Sequence, residues 1–317
     1  MSAPPDVSVI MANYNCARYV GAAITSLQEQ SLANWELVLV DDASNDASVD
    51  IAASMAMADP RIKVVRQGTN AGPAAARNRA LDLAQGRWIS IFDSDDIMRP
   101  GRLHTLLVRA LRDHADIVAD NMLVFSDGSP AQKPFLPRHI LSSPQWIDLA
   151  RFVDSNRLYS RTPDLGYLKP FISADFLKRS GVRYDERLRI GEDYEFMARL
   201  LASGARFRLE PSALYLYRKH AASISHRLRV DAIEALIEAD ARLAQHVGPS
   251  SAEITGAFRR RGRSLKSMLL YDRVIALVKA GRYREAMGIS MRAPRIWPLL
   301  TRPIRARFVR LASGRSA

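Results

Sequence analysis

The sequence predicts an α/β fold built on a mainly parallel sheet. Three observations carry this expectation. Apolar runs of five or six residues alternate with stretches of helical length through the first hundred residues. Three of these runs end in polar clusters: Asn13-Tyr14-Asn15, Asp41-Asp42 and Asp93-Ser94-Asp95-Asp96. The chain is 48% hydrophobic, enough for a sizeable core.

The elements follow in order. Residues 7–12 read as a buried strand, followed by a polar loop and a helix from Val20 to about Gln30. Residues 36–40 form a second apolar run ending in Asp41-Asp42, after which Ser44 or Asn45 is placed to cap a helix through Met57. Residues 62–66 read as a third strand. Gly72-Pro73 opens a helix from Ala74 to Ala84 that stops at Gly86, and the strand 87–92 delivers the acidic cluster. Pro100-Gly101 begins a helix to His114; 116–124 suggests a strand, and 126–144, with four prolines, an extended loop. Apolar texture returns over Gly166-Tyr167-Leu168-Lys169-Pro170-Phe171. Residues 173–181 suggest a short helix ended by Gly181. Gly191-Glu192-Asp193 precedes a helix from Tyr194 to Ala202, and 205–217 suggests one or two strands. Beyond 226 the pattern is helical, with breaks at Gly248-Pro249 and Gly281.

In open α/β sheets ligands collect beyond the carboxyl ends of the strands, so the three polar strand ends should line one cleft. The carboxylates of Asp93, Asp95 and Asp96 repel one another unless a cation offsets them. Hard oxygen ligands on a short loop suit Mg²⁺ or Mn²⁺, ions that usually also hold a substrate phosphate. Taken alone, the cluster suits a solvated acidic turn equally well.

The net charge of +13 is unevenly spread. Arg259 to Ala317 holds 16 Lys+Arg against two acids, Asp272 and Glu285, while the first 258 residues hold 30 basic and 31 acidic residues. Such asymmetry indicates a polyanionic partner, nucleic acid or an anionic membrane surface. No nucleic-acid motif accompanies the charge. Residues 295–311 mix arginines with Ile296, Trp297, Leu299, Leu300, Ile304, Phe308, Val309 and Leu311, a composition suited to a helix lying in an anionic membrane interface. A solvated terminus, or a strip packed on the rest of the chain, is the alternative. No run of about 18 apolar residues marks a spanning helix, and the first residues lack the pattern of a secretory signal. The lone Cys16 allows no intramolecular disulfide and fits a reducing cytosol.

Six segments in order resemble the family 2 glycosyltransferases, inverting enzymes with the GT-A fold, over residues 6–225. They are Val7-Ser-Val-Ile-Met-Ala-Asn-Tyr-Asn15; Leu37-Val-Leu-Val-Asp-Asp-Ala-Ser-Asn-Asp46; Asn70-Ala-Gly-Pro-Ala-Ala-Ala-Arg-Asn78; Phe92-Asp-Ser-Asp-Asp96; Gly191-Glu-Asp193; and Tyr217-Arg-Lys-His-Ala-Ala-Ser223. The stretch from Gly166 to Ala205 also resembles bacterial exopolysaccharide enzymes of the kind that build succinoglycan. The resemblance implies a GT-A nucleotide-diphospho-sugar transferase fold over residues 1–225, a Rossmann-like sheet flanked by helices. Residues 226–317 would form a basic helical C-terminal region. It implies a UDP-sugar donor, UDP-glucose by family preference, and a saccharide or lipid-linked oligosaccharide acceptor. No nucleic-acid partner is expected. The expected place is the cytoplasmic face of the membrane, held peripherally.

Position by position, the resemblance puts Ala12 and Tyr14 at the uracil base, Asp41 at its edge and Arg77 at the nucleotide. Asp93 and Asp95 belong to a D-x-D motif that contacts the ribose and a divalent metal, Mn²⁺ or Mg²⁺, with Asp95 the direct ligand and Asp93 its partner. Asp193 is the general base, Glu192 sets it or binds the acceptor, and His220 lies near the diphosphate; Asp96 supports the loop or touches the donor sugar. By spacing alone, Glu192 and Asp193 also suit acids at a helix N-terminus, Asp41 a helix cap, Arg77 a helix surface and His220 a structural role. The second segment carries Ala43 where the family has glycine, and alanine tolerates positive φ poorly. A sugar-phosphate nucleotidylyltransferase is the nearest enzyme alternative, but it would carry a Gly-rich basic loop where Asn13-Tyr14-Asn15 stands. A catalytically silent membrane-associated binding module is the other, and the intact Asp93, Asp95 and Asp193 argue against it.

Overall fold

The computed structural model describes residues 4–129, 132–142, 145–158, 160, 163–220, 229–248 and 250–301. The first half alternates as expected: β1 (Val7–Asn13), α1 (Val20–Gln28), β2 (Trp35–Asp41), α2 (Ser48–Ala58), β3 (Ile62–Arg66), α3 (Pro73–Leu83) and β4 (Trp88–Ile91). Then come β5 (Ile97–Met98), α4 (Arg102–Asp113), β6 (Ile117–Ser126), β7 (Lys133–Pro134), α5 (Arg138–Leu141), β8 (Trp146–Ile147) and α6 (Leu149–Ser155). The remainder is β9 (Phe171–Ser173), α7 (Ala174–Ser180), α8 (Glu192–Ala202), β10 (Phe207–Lys219), α9 (Val230–Val247), α10 (Ala252–Lys279) and α11 (Tyr283–Arg292).

Among the described residues ten strands join one sheet: eight follow the path β3-β2-β1-β4-β9-β6-β10-β5, while β7 pairs with β6 and β8 with β10 off it. Strands β1 to β4 are parallel to one another where they pair. Beyond β4 the sheet is mixed: β9 runs antiparallel to both β4 and β6, while β6 and β10 are parallel. Strands β1, β2 and β4 read as near-continuous apolar runs because helices cover both faces, and their central residues are fully buried.

Two details differ from expectation. Ser44 and Asn45 do not cap α2; the helix begins at Ser48, and Ser44 instead donates its hydroxyl to Asp41. The carboxylate at the end of β2 captures the hydroxyl before the helix can. The 126–144 segment is not wholly extended, since β7 and α5 lie within it. Ala43 adopts φ +60°, the left-handed region that the family glycine would occupy without strain.

The C-terminal helices are not set apart from the sheet. Leu243 of α9 and Ala257 of α10 belong to the same apolar core as β1, β4 and β6, and two smaller clusters tie α9, α10 and α11 together. Among the described residues no helix is long and apolar enough to cross a membrane.

Candidate active site

The acidic cluster leaves β4 beside β1, where the Phe92 N–H donates to the Ile10 carbonyl at 3.1 Å. Its three carboxylates each offer an oxygen within 4.8 Å of the others, yet their surroundings differ. Asp96 is fully buried; one oxygen accepts from the Tyr215 hydroxyl and the other from the Arg218 N–H, both at 2.7 Å. Burial, with the charges of Asp95 and Asp93, pushes its carboxyl well above the usual range. Asp96 is thus built into the loop, not offered to solvent. Asp95 is partly open, and its Oδ2 lies 2.8 Å from His220 Nε2. Arg218 fixes that loop by donating to the Asp95 carbonyl at 2.7 Å.

Asp93 faces the other way, into an ion cluster drawn from four elements. Arg77 of α3 reaches Asp93 at 3.0 Å, Glu192 at 2.7 Å and Asp193 at 3.3 Å. Lys169, just before β9, reaches Asp93 at 2.6 Å and Asp193 at 3.2 Å. Two buried cations therefore hold together the acidic loop of β4 and the first turn of α8. Burial alone would push the Asp93 carboxyl up, but Lys169 and Arg77 outweigh it and hold it at about 2. Burial likewise disfavours the charges on Arg77 and Lys169, and the surrounding carboxylates overcome it, raising both well above their ordinary values. Glu192 is raised by burial and by the charge of Asp193.

Glu192 and Asp193 do occupy the first turn of a helix, where the dipole favours them. The chain enters α8 through Gly191 at φ +82°, and a Cβ there would lie 2.6 Å from Leu236 of α9. Lys169 was not singled out from the sequence, because it sits inside an apolar run. The available signal was that same oddity: a lysine in a stretch otherwise destined for the core must find carboxylates. Arg102 was missed too. Fully buried, it donates to Asp120 at 3.0 Å, to Ser90 at 3.2 Å and to the Lys169 carbonyl at 2.8 Å, so it anchors the backbone that presents Lys169.

At the ends of β1 and β2, Tyr14 projects 44% exposed and Ala12 is half-buried. Asp41 is fully buried, accepting from Asn13 Nδ2 at 2.7 Å and from the Ser44 N–H at 2.9 Å. Asp42, unassigned from the sequence, accepts from the Ala71 and Gly72 N–H groups at 2.7 Å each and so orients the entry to α3 and Arg77. Cys16 is buried, its thiol pushed up to about 12 by burial, which leaves it no nucleophilic thiolate.

The family model for glycosyl transferase family 2 matches residues 8–166. The chain is 38% identical over 311 residues to the succinoglycan biosynthesis protein ExoO of Rhizobium meliloti (strain 1021), covering 98% of this chain and 88% of that one. It belongs to glycosyl transferase family 2. A second relative, succinoglycan biosynthesis protein ExoU of the same organism, is 35% identical over 303 residues, covering 94% of this chain and 86% of that protein. Among solved structures, S. aureus TarS 1–349 in complex with UDP-GlcNAc superposes with a TM-score of 0.64 at 22% identity, over 80% of this chain and 69% of that one. The mannosyltransferase PcManGT from Pyrobaculum calidifontis, in complex with GDP-Man and Mn²⁺, gives 0.60 at 19% identity, over 98% and 81%. These structural likenesses establish the GT-A fold.

In this family 2 glycosyltransferase the residues singled out from all six sequence segments lie at one end of the sheet. Arg77 ties Asp93 to Glu192 and Asp193, Asp95 meets His220, and the Asp93 and Asp95 carboxylates offer oxygens within 4.8 Å of each other; Ala12, Tyr14 and Asp41 sit at the neighbouring strand ends. Asp95 suits a hard divalent cation, since its carboxylate is partly open and neither Arg77 nor Lys169 claims it; Asp93 stands next to it, but its Oδ1 is held by Arg77 and its Oδ2 by Lys169, so it would have to release one of them to share the ion. Residues 221–223 of the last sequence segment lie outside the described residues.

Proposed function

We propose that this glycosyltransferase moves a sugar, glucose by preference, from a UDP-sugar to a saccharide or lipid-linked acceptor in bacterial exopolysaccharide synthesis, with inversion at the anomeric carbon. The printed functions of ExoO and ExoU support the polysaccharide reading. The UDP-GlcNAc complex of TarS supports a nucleotide-sugar donor. The observation that carries the mechanism is the bridge made by Arg77 and Lys169 between Asp93 and Asp193. It draws a carboxylate of the acidic loop and one of α8 onto the same two cations, and so ties the proposed metal side of the site to the proposed base.

In this reading Asp193 takes the proton of the acceptor hydroxyl as that oxygen attacks the anomeric carbon. Arg77 and Lys169 hold its carboxylate in place, and Glu192 shares Arg77 with it. Tyr14, Ala12 and Asp41 seat the uridine, and His220 with Asp95 flanks the diphosphate. Mn²⁺ or Mg²⁺ held by Asp95, with Asp93 as partner, would supply Lewis-acid stabilisation of the leaving diphosphate. Residues 1–225 carry the chemistry. The basic C-terminal region, including 295–311, holds the enzyme peripherally on the inner face of the membrane, where a lipid-linked acceptor resides.

The test is UDP release with Mn²⁺ by the native chain and by Asp193→Asn. The variant is expected to lose roughly 10²- to 10⁴-fold in turnover, the usual share of a general base, while still binding UDP. Undiminished turnover removes Asp193 as base; no UDP release by the native chain with any UDP-sugar removes the donor reading.

A further inference from the structure

Helix α11 presents an exposed apolar stripe that no other described residue covers. Tyr283, Met287 and Met291 recur every four residues, so they share one face of the helix, and they are 67%, 62% and 69% exposed. Ala286, Ala293 and Ile296 face the opposite way, into the cluster with Val274 of α10. Trp297 extends the stripe at 52% exposed; its indole N–H donates to the Ser290 carbonyl at 2.8 Å, which pins the ring at the surface. Four large apolar side chains gathered on one exposed face mark a docking surface, where scattered ones would not.

The border of the stripe identifies its occupant. Lys279, Arg284, Arg292 and Arg295 are exposed, and none is ion-paired among the described residues. The one acid of the segment, Glu285, is taken up by Arg282, whose Nε and Nη2 lie 2.6 Å from its two oxygens. A second copy laid face to face would set arginine against arginine with no acid to answer them. Apolar side chains ringed by unpaired cations match a bilayer interface, whose acyl boundary takes the aromatic and thioether groups while anionic headgroups take the cations. We infer that the α11–Trp297 face is the membrane-docking surface of this enzyme and that its ligand is an anionic lipid bilayer.

This rests on the reading that the chain works at a membrane, and deepens it by naming the surface. The experiment is co-sedimentation of the full chain with vesicles of phosphatidylcholine alone, or of phosphatidylcholine with phosphatidylglycerol, at low and high salt. Native protein and the double variant Met287→Asp with Met291→Asp are compared; both positions are exposed, and unchanged thermal midpoints check folding. The native chain is expected to sediment with the anionic vesicles only, releasing with salt. The variant is expected to bind at least about tenfold more weakly, as charges replace two interfacial apolar groups. If the variant sediments as well as the native chain, the surface is wrong while the membrane reading stands. If the native chain fails to sediment, both fall. A native dimer on size exclusion that the variant abolishes also overturns the inference, since the stripe would then be a self-interface.

Discussion

Lys169 concentrates the electrostatics of the site in one side chain. It is almost fully buried between Asp93 and Asp193, and removing a partner from a buried ion cluster leaves uncompensated charge. Lys169→Ala is therefore expected to lose about 3–5 kcal/mol of stability near neutral pH, measured by urea unfolding. The loss should shrink in acid. Asp93 titrates at about 2 in the folded protein, below its ordinary value of 3.8, so its contribution is present above pH 4 and fades as the pH falls towards 2. Native and variant stabilities should converge over that window; a constant gap would mean that Lys169 does not act through Asp93. The acidic loop itself was legible in the sequence, since charge after an apolar run marks a strand end. The difference in role between Asp95 and Asp96 depends on Tyr215 and Arg218, more than a hundred residues downstream.

At the scale of elements, the placement of Asp193, the base we propose, depends on how α8 begins. Gly191 turns the chain at φ +82° under Leu236, and Tyr194, one residue past Asp193, is clamped from behind. Its ring lies 3.6 Å below the Arg261 guanidinium, and its hydroxyl donates to Asp240 at 3.0 Å. Arg261 completes the clamp by donating to Asp240 at 2.9 Å and to the Asn156 carbonyl. Gly191→Ala is expected to strain the backbone by about 1–2 kcal/mol and displace the first turn of α8. Turnover should then fall more than UDP affinity does, read from kcat and from UDP binding separately. Equal losses in both would place the damage elsewhere. Strand and helix bounds of the first half were readable to within a residue or two because each burial pattern lies within a single element. The cap of α2 was not, because Ser44 had a competing partner in Asp41 that only the folded loop brings near.

For the whole molecule, the division at residue 225 marks where the family segments end, and the core continues past it. Leu243 and Ala257 are buried with the sheet helices, and Asp240 and Arg261 hold Tyr194. A chain ending at residue 225 would expose that face and leave Tyr194 unclamped, so it is expected to lack a cooperative thermal transition. Retention of a native-like melting transition by this fragment would show that α9 and α10 are appendages. The sequence by itself determined the strand–helix alternation, the polar strand ends, the family and the concentration of positive charge after Arg259. The alternation, the strand ends and the charge are written in local periodicity and composition, and the family in the residues of six ordered motifs, all of which the chain carries before it folds. Only the tertiary structure decided that Lys169 and Arg77 tie Asp93 to Asp193, that Asp96 is walled in while Asp95 faces His220, and that α8 is braced by the C-terminal helices. Those facts rest on charges and rings far apart in the chain, brought to contact distance only when burial forces each one to find its partner.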